Sequence, residues 1–434
     1  MFKSLALLLI IFQLTINSQN LNQIDDGAFE NVGRLDRIYF NGIKNLPFFF
    51  ENNRIQALSN ITSYLSLSNA RLNNNNVIPI IDNLKSWPLL QSLTITNNDF
   101  SHFSYDFTNF TSLSFLDLSN NLIQTFDINS NFTSLSSLDL SNNLIQTFDI
   151  KSNRLNNLNL FNNKIEKLEK EMFVYLPNLE YLRIDSNKIS RILNDSFHST
   201  KSLRTIDLDN NKIDYIEPNS FCNLKLSSLY LSGNNLSNVS LYCLENVGSL
   251  YLNNVQFEGE IDQKRLGNPK NAYQLYLSNN KISKINLENM TSLKYFYLDS
   301  NELVNFTSET IQAVPNLNTL GIRNNKFTDK SLENFNHLKK LQYLYLSNNL
   351  LTKFEPNMLA ESKQLYSLDI GRNNLENVEF GSLPNLKELF IYYNKLKFVG
   401  KDSFSKLSNL ERLNLESNII SRIHPKTFAS NVNL

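Results

Sequence analysis

Apolar residues recur along this chain on a fixed period, in the unit L-x-x-L-x-L-x-x-N-x-L/I. It is seen in Leu90-Leu93-Ile95-Asn98-Phe100, Leu113-Leu116-Leu118-Asn121-Ile123 and Leu179-Leu182-Ile184-Asn187-Ile189. It returns in Leu203-Ile206-Leu208-Asn211-Ile213, Leu341-Leu344-Leu346-Asn349-Leu351 and Leu410-Leu413-Leu415-Asn418-Ile420. First positions fall at 90, 113, 135, 155, 179, 203, 226, 247, 272, 293, 317, 341, 365, 386 and 410, in steps of 20 to 25 residues and most often 24. Two degenerate copies begin near Leu35 and Thr62, which makes about seventeen coils. A fixed period of this length is the signature of a solenoid.

The x-L-x-L-x centre alternates with period two and predicts a short strand with its leucines facing inward. Stacked coils align these strands into a parallel sheet, each burying an apolar face its neighbour cannot bury alone. After the strand the chain turns, and the backbone groups buried there need partners. An inward asparagine carries amide donors and a carbonyl acceptor, so it can satisfy several of them. Many units continue with a second apolar pair and a phenylalanine, as in Ile189, Ile192 and Phe197, or Ile213, Ile216 and Phe221. These predict a stack of Phe rings on the far side of the coils.

This pattern resembles the leucine-rich-repeat family, and the 24-residue form with its trailing Phe is similar to the extracellular animal class of Toll-like and adhesion ectodomains. The resemblance spans residues 19–434. It implies an α/β horseshoe solenoid with a parallel β-sheet on the concave face and an irregular or short-helical convex side. Such a fold binds proteins, glycans or lipids on its inner sheet. The cysteine-rich end caps of many extracellular members are absent. Leu434 stands 24 residues after Leu410, where a further coil would open. The end therefore reads as that of a truncated product or a fragment of something longer.

Residues 1–18 read as a signal peptide, with Lys3, an apolar stretch from Ser4 to Ile16, and the small Ser18 before Gln19. Ile11, Leu14, Ile16 and Leu21 also fit the repeat, so an irregular first coil is the alternative. Residues 19–89 are the degenerate copies and 90–434 the regular ones. Segments 109–130 and 131–152 differ at only two places, a tandem copy of one coil. Asparagine fills roughly one position in six, a bias that suits a disordered chain, but the sustained apolar period and 41 % hydrophobic residues predict a core. Lys+Arg and Asp+Glu are both 41, which leaves no cationic surplus for nucleic acid.

No catalytic motif, cofactor motif or metal spacing is present, and His102, His198, His337 and His424 are scattered over distant coils. Cys222 and Cys243 each lie four residues before the next first position, Leu226 and Val247. Equivalent positions in adjacent coils stand about 5 Å apart, close enough for a disulfide in an oxidising compartment. Two stacked thiols serving as small apolar fillers are the alternative. In the coil opening at Val247 the inward Asn is replaced by Val255, and the connection from Phe257 to Lys270 is irregular. Residues 255–270 are thus expected to form a dislocation or protruding loop, and to open first.

Positions 2, 3, 5, 7 and 8 of the unit face the concave surface, make up about 17 % of the chain and hold 12 of its 18 tyrosines. Position 5 runs Tyr230, Tyr251, Tyr276, Tyr297, then Gly321, Tyr345 and later Phe390, flanked by Tyr273, Tyr295 and Tyr343. The same column earlier is polar: Asp117, Asp139, Asn159, Arg183 and Asp207. Tyrosine dominates binding hot spots, so this ladder is the expected ligand site. Tyr also favours exposed strands, where cross-strand stacking stabilises a sheet by itself. Sequons stand at Asn60, Asn109, Asn131, Asn194, Asn235, Asn238, Asn289 and Asn305, none at a concave position.

The expected function is a secreted or cell-surface protein that binds a macromolecule, in immune recognition or adhesion. A protein ligand fits best, with glycan or lipid as further possibilities. The alternatives are a receptor ectodomain, its membrane attachment lying in a missing C-terminal segment, and an intracellular regulatory scaffold.

Overall fold

The computed structural model describes residues 13–434, apart from 22, 26–27, 31, 33–34, 52–54 and 129–131. The chain forms a parallel-strand solenoid of about seventeen coils with few helices, divided into two compact units, Met1–Asp207 and Leu208–Leu434. In the first unit the strands Gln13–Asn17, Arg37–Asn41, Tyr64–Ser68, Ser92–Thr94, Phe115–Asp117, Ser137–Asp139, Asn157–Asn159, Tyr181–Arg183 and Thr205–Asp207 pair in chain order, all parallel. In the second, Ser228–Tyr230, Ser249–Tyr251, Gln274–Tyr276, Tyr295–Tyr297, Thr319–Gly321, Tyr343–Tyr345, Ser367–Asp369, Glu388–Phe390 and Arg412–Asn414 do the same. The stretch expected as a leader falls partly on the first of these strands, Gln13–Asn17. Residues 1–12 of it lie outside the described ones, and Ser18 follows the strand, its N–H donating to Asn41 O at 3.3 Å.

Register follows the repeat: Leu229 pairs with Leu250, Leu250 with Leu275, and Leu275 with Phe296. The position-4 and position-6 leucines are buried, Leu229, Leu231, Leu250 and Leu252 having no exposed surface, except in the last coil, where Leu413 and Leu415 are half-buried. On the far side of the coils the phenylalanines meet in files. Phe148, Phe173 and Phe197 stand 5.7 and 5.9 Å apart in the first unit, and Phe380, Phe404 and Phe428 6.2 and 5.9 Å apart in the second. Burial of one such ring stabilises by roughly 2–3 kcal/mol.

The position-9 asparagine does what its donor count predicts, and joins coils as well. The Nδ2 of Asn301 donates to Leu298 O of its own coil at 3.0 Å and to Leu277 O of the coil before at 2.9 Å. Its Oδ1 accepts from Ile282 N, also in that earlier coil, at 2.9 Å. Asn121, Asn143, Asn349 and Asn394 repeat the pattern.

Where this asparagine is missing the chain makes a local dislocation, with a bulge between Gly259 and Glu260, rather than a protruding loop. Val255 is fully buried, and its carbonyl accepts from Leu236 N at 2.9 Å, in place of the absent side chain. The turn's own N–H groups, of Val255 and Phe257, both donate to Asn280 Oδ1 at 3.0 Å. The following Glu258–Asp262 forms a bulged ladder with Lys281–Asn286. Arg265 lies over the Phe257 ring at 4.7 Å and donates back to Ser237 O and Val239 O. The segment carries left-handed backbone at Gln256, Gly259, Gly267 and Asn268, yet it is bonded on both sides. The partners that the missing asparagine would supply thus come from the coils on either side.

Candidate binding face

In-register parallel pairing puts the position-5 side chains of successive coils one strand spacing apart, about 4.8 Å. The rings of Tyr230, Tyr251, Tyr276 and Tyr297 accordingly stack with centroids 4.1, 4.6 and 4.8 Å apart and planes within 7, 10 and 11° of parallel. Both faces of Tyr251 and Tyr276 are therefore covered by neighbouring rings. What this row presents to solvent is ring edges and a line of phenol hydroxyls. The Tyr251 hydroxyl donates to Gln274 Oε1 at 3.1 Å, and Ser249 Oγ donates to the same atom at 3.1 Å. Burial, followed by the neighbouring phenol of Tyr230, pushes the Tyr251 hydroxyl well above its ordinary pKa. Burial likewise raises Tyr276 and Tyr297. Tyr251, Tyr276 and Tyr297 therefore stay protonated and uncharged at physiological pH.

Gly321 ends the row for a steric reason. A Cβ there would lie 2.7 Å from Tyr297 Cδ1 and 3.1 Å from the Asp299 carboxylate. Beyond it the ring of Tyr345 carries the Arg323 guanidinium at 4.0 Å. Arg323 Nε also reaches the buried Asp369 at 3.4 Å. Tyr343 packs against Tyr366 at 5.7 Å. Tyr295 is half-buried, whereas Tyr273 is exposed and flanks Gly248 beside a cavity of about 430 Å³ that reaches Lys225 and Asn246. The eight tyrosines singled out in the sequence thus share one sheet face, but only four form a continuous stack.

Three of the five polar residues at position 5 in the first unit have a task of their own. Asp117 Oδ1 accepts from Ser119 N at 2.9 Å, Asp139 Oδ1 from Ser141 N at 2.8 Å and Asn159 Oδ1 from Phe161 N at 3.1 Å. Each caps the N–H at position 7 of its own coil, a task a tyrosine cannot perform. In the tyrosine coils the preceding coil's position-7 side chain takes over. Asp209 accepts from Ser232 N, Ser232 from Asn253 N, Asn253 from Ser278 N, Ser278 from Asp299 N, and Asp299 from Arg323 N, at 2.5 to 3.2 Å. This relay releases position 5 for aromatic rings.

Position 8 was not singled out in the sequence. It has left-handed backbone in all fifteen regular coils, from Asn97 at φ 56° to Ser417 at 52°. Asparagine tolerates that region better than other side-chain-bearing residues, which accounts for a second column of Asn beside the buried one. The recurrent Asn-Asn and Ser-Asn pairs were the available signal.

Cys222 and Cys243 are joined in a disulfide with Cα atoms 4.8 Å apart, which decides between the two readings of that pair. The seven described sequon asparagines are exposed, and Asn131 lies outside the described residues. Among the described residues no group of three or more His, Cys, Asp or Glu is placed to hold a metal, and no helix is long and apolar enough to cross a membrane.

A leucine-rich-repeat family model matches residues 133–189, 153–213, 178–236, 315–375 and 380–434, together just over half of the sequence. The chain belongs to the leucine-rich-repeat family. Its structure is similar to that of a Leptospira interrogans leucine-rich-repeat protein (TM-score 0.64, 24 % identity, 90 % of this chain and 97 % of that one). It is similar also to an internalin from Listeria monocytogenes (0.50, 25 %, 65 % and 79 %). A third likeness is to Toll in the glycosylated Drosophila Toll–Spätzle complex (0.75, 17 %, 94 % and 58 %), so this chain spans little more than half of that one. No curated protein sequence matches it significantly.

Proposed function

We propose that this leucine-rich-repeat protein is secreted, belongs to the extracellular animal class, and binds a protein partner across the tyrosine face of its second unit, in immune recognition or adhesion. The stacked row Tyr230–Tyr251–Tyr276–Tyr297 carries the reading. It is a pre-ordered strip of ring edges and hydroxyls that loses little side-chain entropy on binding. The Toll chain, with the same fold, was solved together with Spätzle, and that complex is described as a hub of development and innate immunity. The disulfide and the exposed sequons suit an oxidising, glycosylating compartment.

The test compares two baits in extracellular fluid of the source organism: the purified protein and its Tyr251→Phe/Tyr276→Phe variant. The variant keeps the ring stack and deletes two hydroxyls, so it folds as the parent does. The expected outcome is a captured protein whose affinity falls about 30-fold with the variant, near 2 kcal/mol. Equal capture by both baits assigns the ladder to sheet stability and overturns the reading.

A further inference from the structure

Position 8 demands left-handed backbone, and thirteen of the fifteen regular coils meet that demand with Asn, Ser or Gly. The two exceptions are neighbours, Arg372 at φ 50° and Tyr393 at φ 52°. Side chains of this size rarely adopt that region, and such strain persists where the surroundings enforce it and concentrates at functional sites. Here the ladder enforces it: Arg372 N donates to Tyr392 O at 2.8 Å and Tyr393 N to Glu416 O at 2.9 Å. The Arg372 guanidinium lies over the Tyr393 ring at 4.6 Å. Both side chains are exposed, Tyr393 by 50 %, so neither serves the core.

A third departure from the repeat serves the same place. Position 7 of this coil is Gly371, and a Cβ there would lie 2.6 Å from Cε1 and Cζ of Tyr392. The glycine makes room for that ring, which meets Tyr393 edge-on at 6.1 Å and 85°. Phe390, half-buried, adjoins from position 5. On the same sheet face Arg323 is neutralised by Asp369 and Arg412 by Glu388. Among the described residues no carboxylate lies within ion-pair reach of Arg372.

We propose that Arg372, Tyr392, Tyr393 and Phe390 form a second docking surface, separate from the tyrosine ladder, for a protein segment with an acidic side chain beside an aromatic or aliphatic one. The planar guanidinium offers paired N–H donors that match a carboxylate, and its stacking on Tyr393 fixes their direction. The surrounding rings take the apolar neighbour. One cation among aromatics does not suit a polysulfated glycan, which is held by clustered positive charge.

The full chain is assayed on an array of twelve-residue peptides in which Asp or Glu is placed next to Tyr, Phe or Leu, with a heparin octasaccharide as the competing probe. Arg372→Asn/Tyr393→Asn restores the residue that most coils carry, so its melting temperature should equal or exceed the parent's. The expected result is salt-sensitive retention of acidic-aromatic peptides that this variant weakens at least 10-fold. Arg372→Lys should weaken it nearly as far, because an ammonium makes no paired contact. Tyr251→Phe/Tyr276→Phe should leave it unchanged, so failure here is separable from failure at the ladder. Absence of any preference for acidic peptides, equal retention by the Asn variant, or tighter binding of the octasaccharide overturns the proposal.

Discussion

Asparagine performs two unrelated tasks at adjacent positions of the repeat, and they differ in energetic weight. At position 9 it is buried and closes bonds between coils; at position 8 it is there for backbone conformation. Asn301→Ala removes partners from Leu277 O, Leu298 O and Ile282 N together. It should cost about 3 kcal/mol, since each buried group left unmade costs roughly 1–3 kcal/mol. Asn348→Ala, at φ 56°, gives up left-handed tolerance and one exposed bond from its Nδ2 to Asn324 Oδ1 at 2.6 Å, and should cost about 1 kcal/mol. Denaturant midpoints of the two variants check the order, and a larger loss at Asn348 would reverse these roles. The position-9 task was legible because donor counting requires an amide at a buried turn. Position 8 was not, because a demand on φ leaves no mark of polarity, only a preference among small polar residues that turns share in general.

At the scale of the element, the tyrosine row couples pH to stability. Burial raises the folded pKa of Tyr251, Tyr276, Tyr297 and Tyr345 above the ordinary 10.0. The folded chain therefore keeps protons that the unfolded chain releases, and stability falls as pH rises from about 10. In an alkaline titration the tyrosinate absorbance of these residues should appear together with the loss of circular dichroism. Ladder tyrosines that ionise within an intact fold would contradict the burial argument. The ladder itself was legible as a column of one residue type in register. The relay from Asp209 to Asp299 that lets position 5 hold tyrosine was not, since each of its bonds crosses to another coil. The same limit hid how the 255–270 segment is held. Its compensating groups, Asn280 in the next coil and Ser237 and Val239 in the one before, are remote along the chain and become neighbours only once coils are stacked.

For the molecule as a whole, fold was legible from period alone, because each coil touches mainly its neighbours and the sum of short-range rules is the structure. The near-identity of 109–130 and 131–152 turns this into a prediction. Deleting 131–152 joins Ser130 to Asn153 and sets Phe115–Asp117 against Asn157–Asn159, with the same leucine register. The shortened protein should fold, with a melting temperature within about 5 °C of the parent, as expected when one internal repeat is removed from a near-additive stack. Loss of a cooperative transition would show that coils in the first unit are not interchangeable.

The bridge between Cys222 and Cys243 has a mechanical consequence. A solenoid pulled from its ends has no long-range tie, so its coils can be peeled off singly, each adding its length to the extended chain. Between these cysteines, 21 residues apart, the load passes through the sulfur atoms and the enclosed coil is spared. About 70 Å of contour stays hidden until the bond is reduced. Peeling that arrives from either side is forced to skip one turn of the spiral, the turn that bears Tyr230, the first ring of the stack.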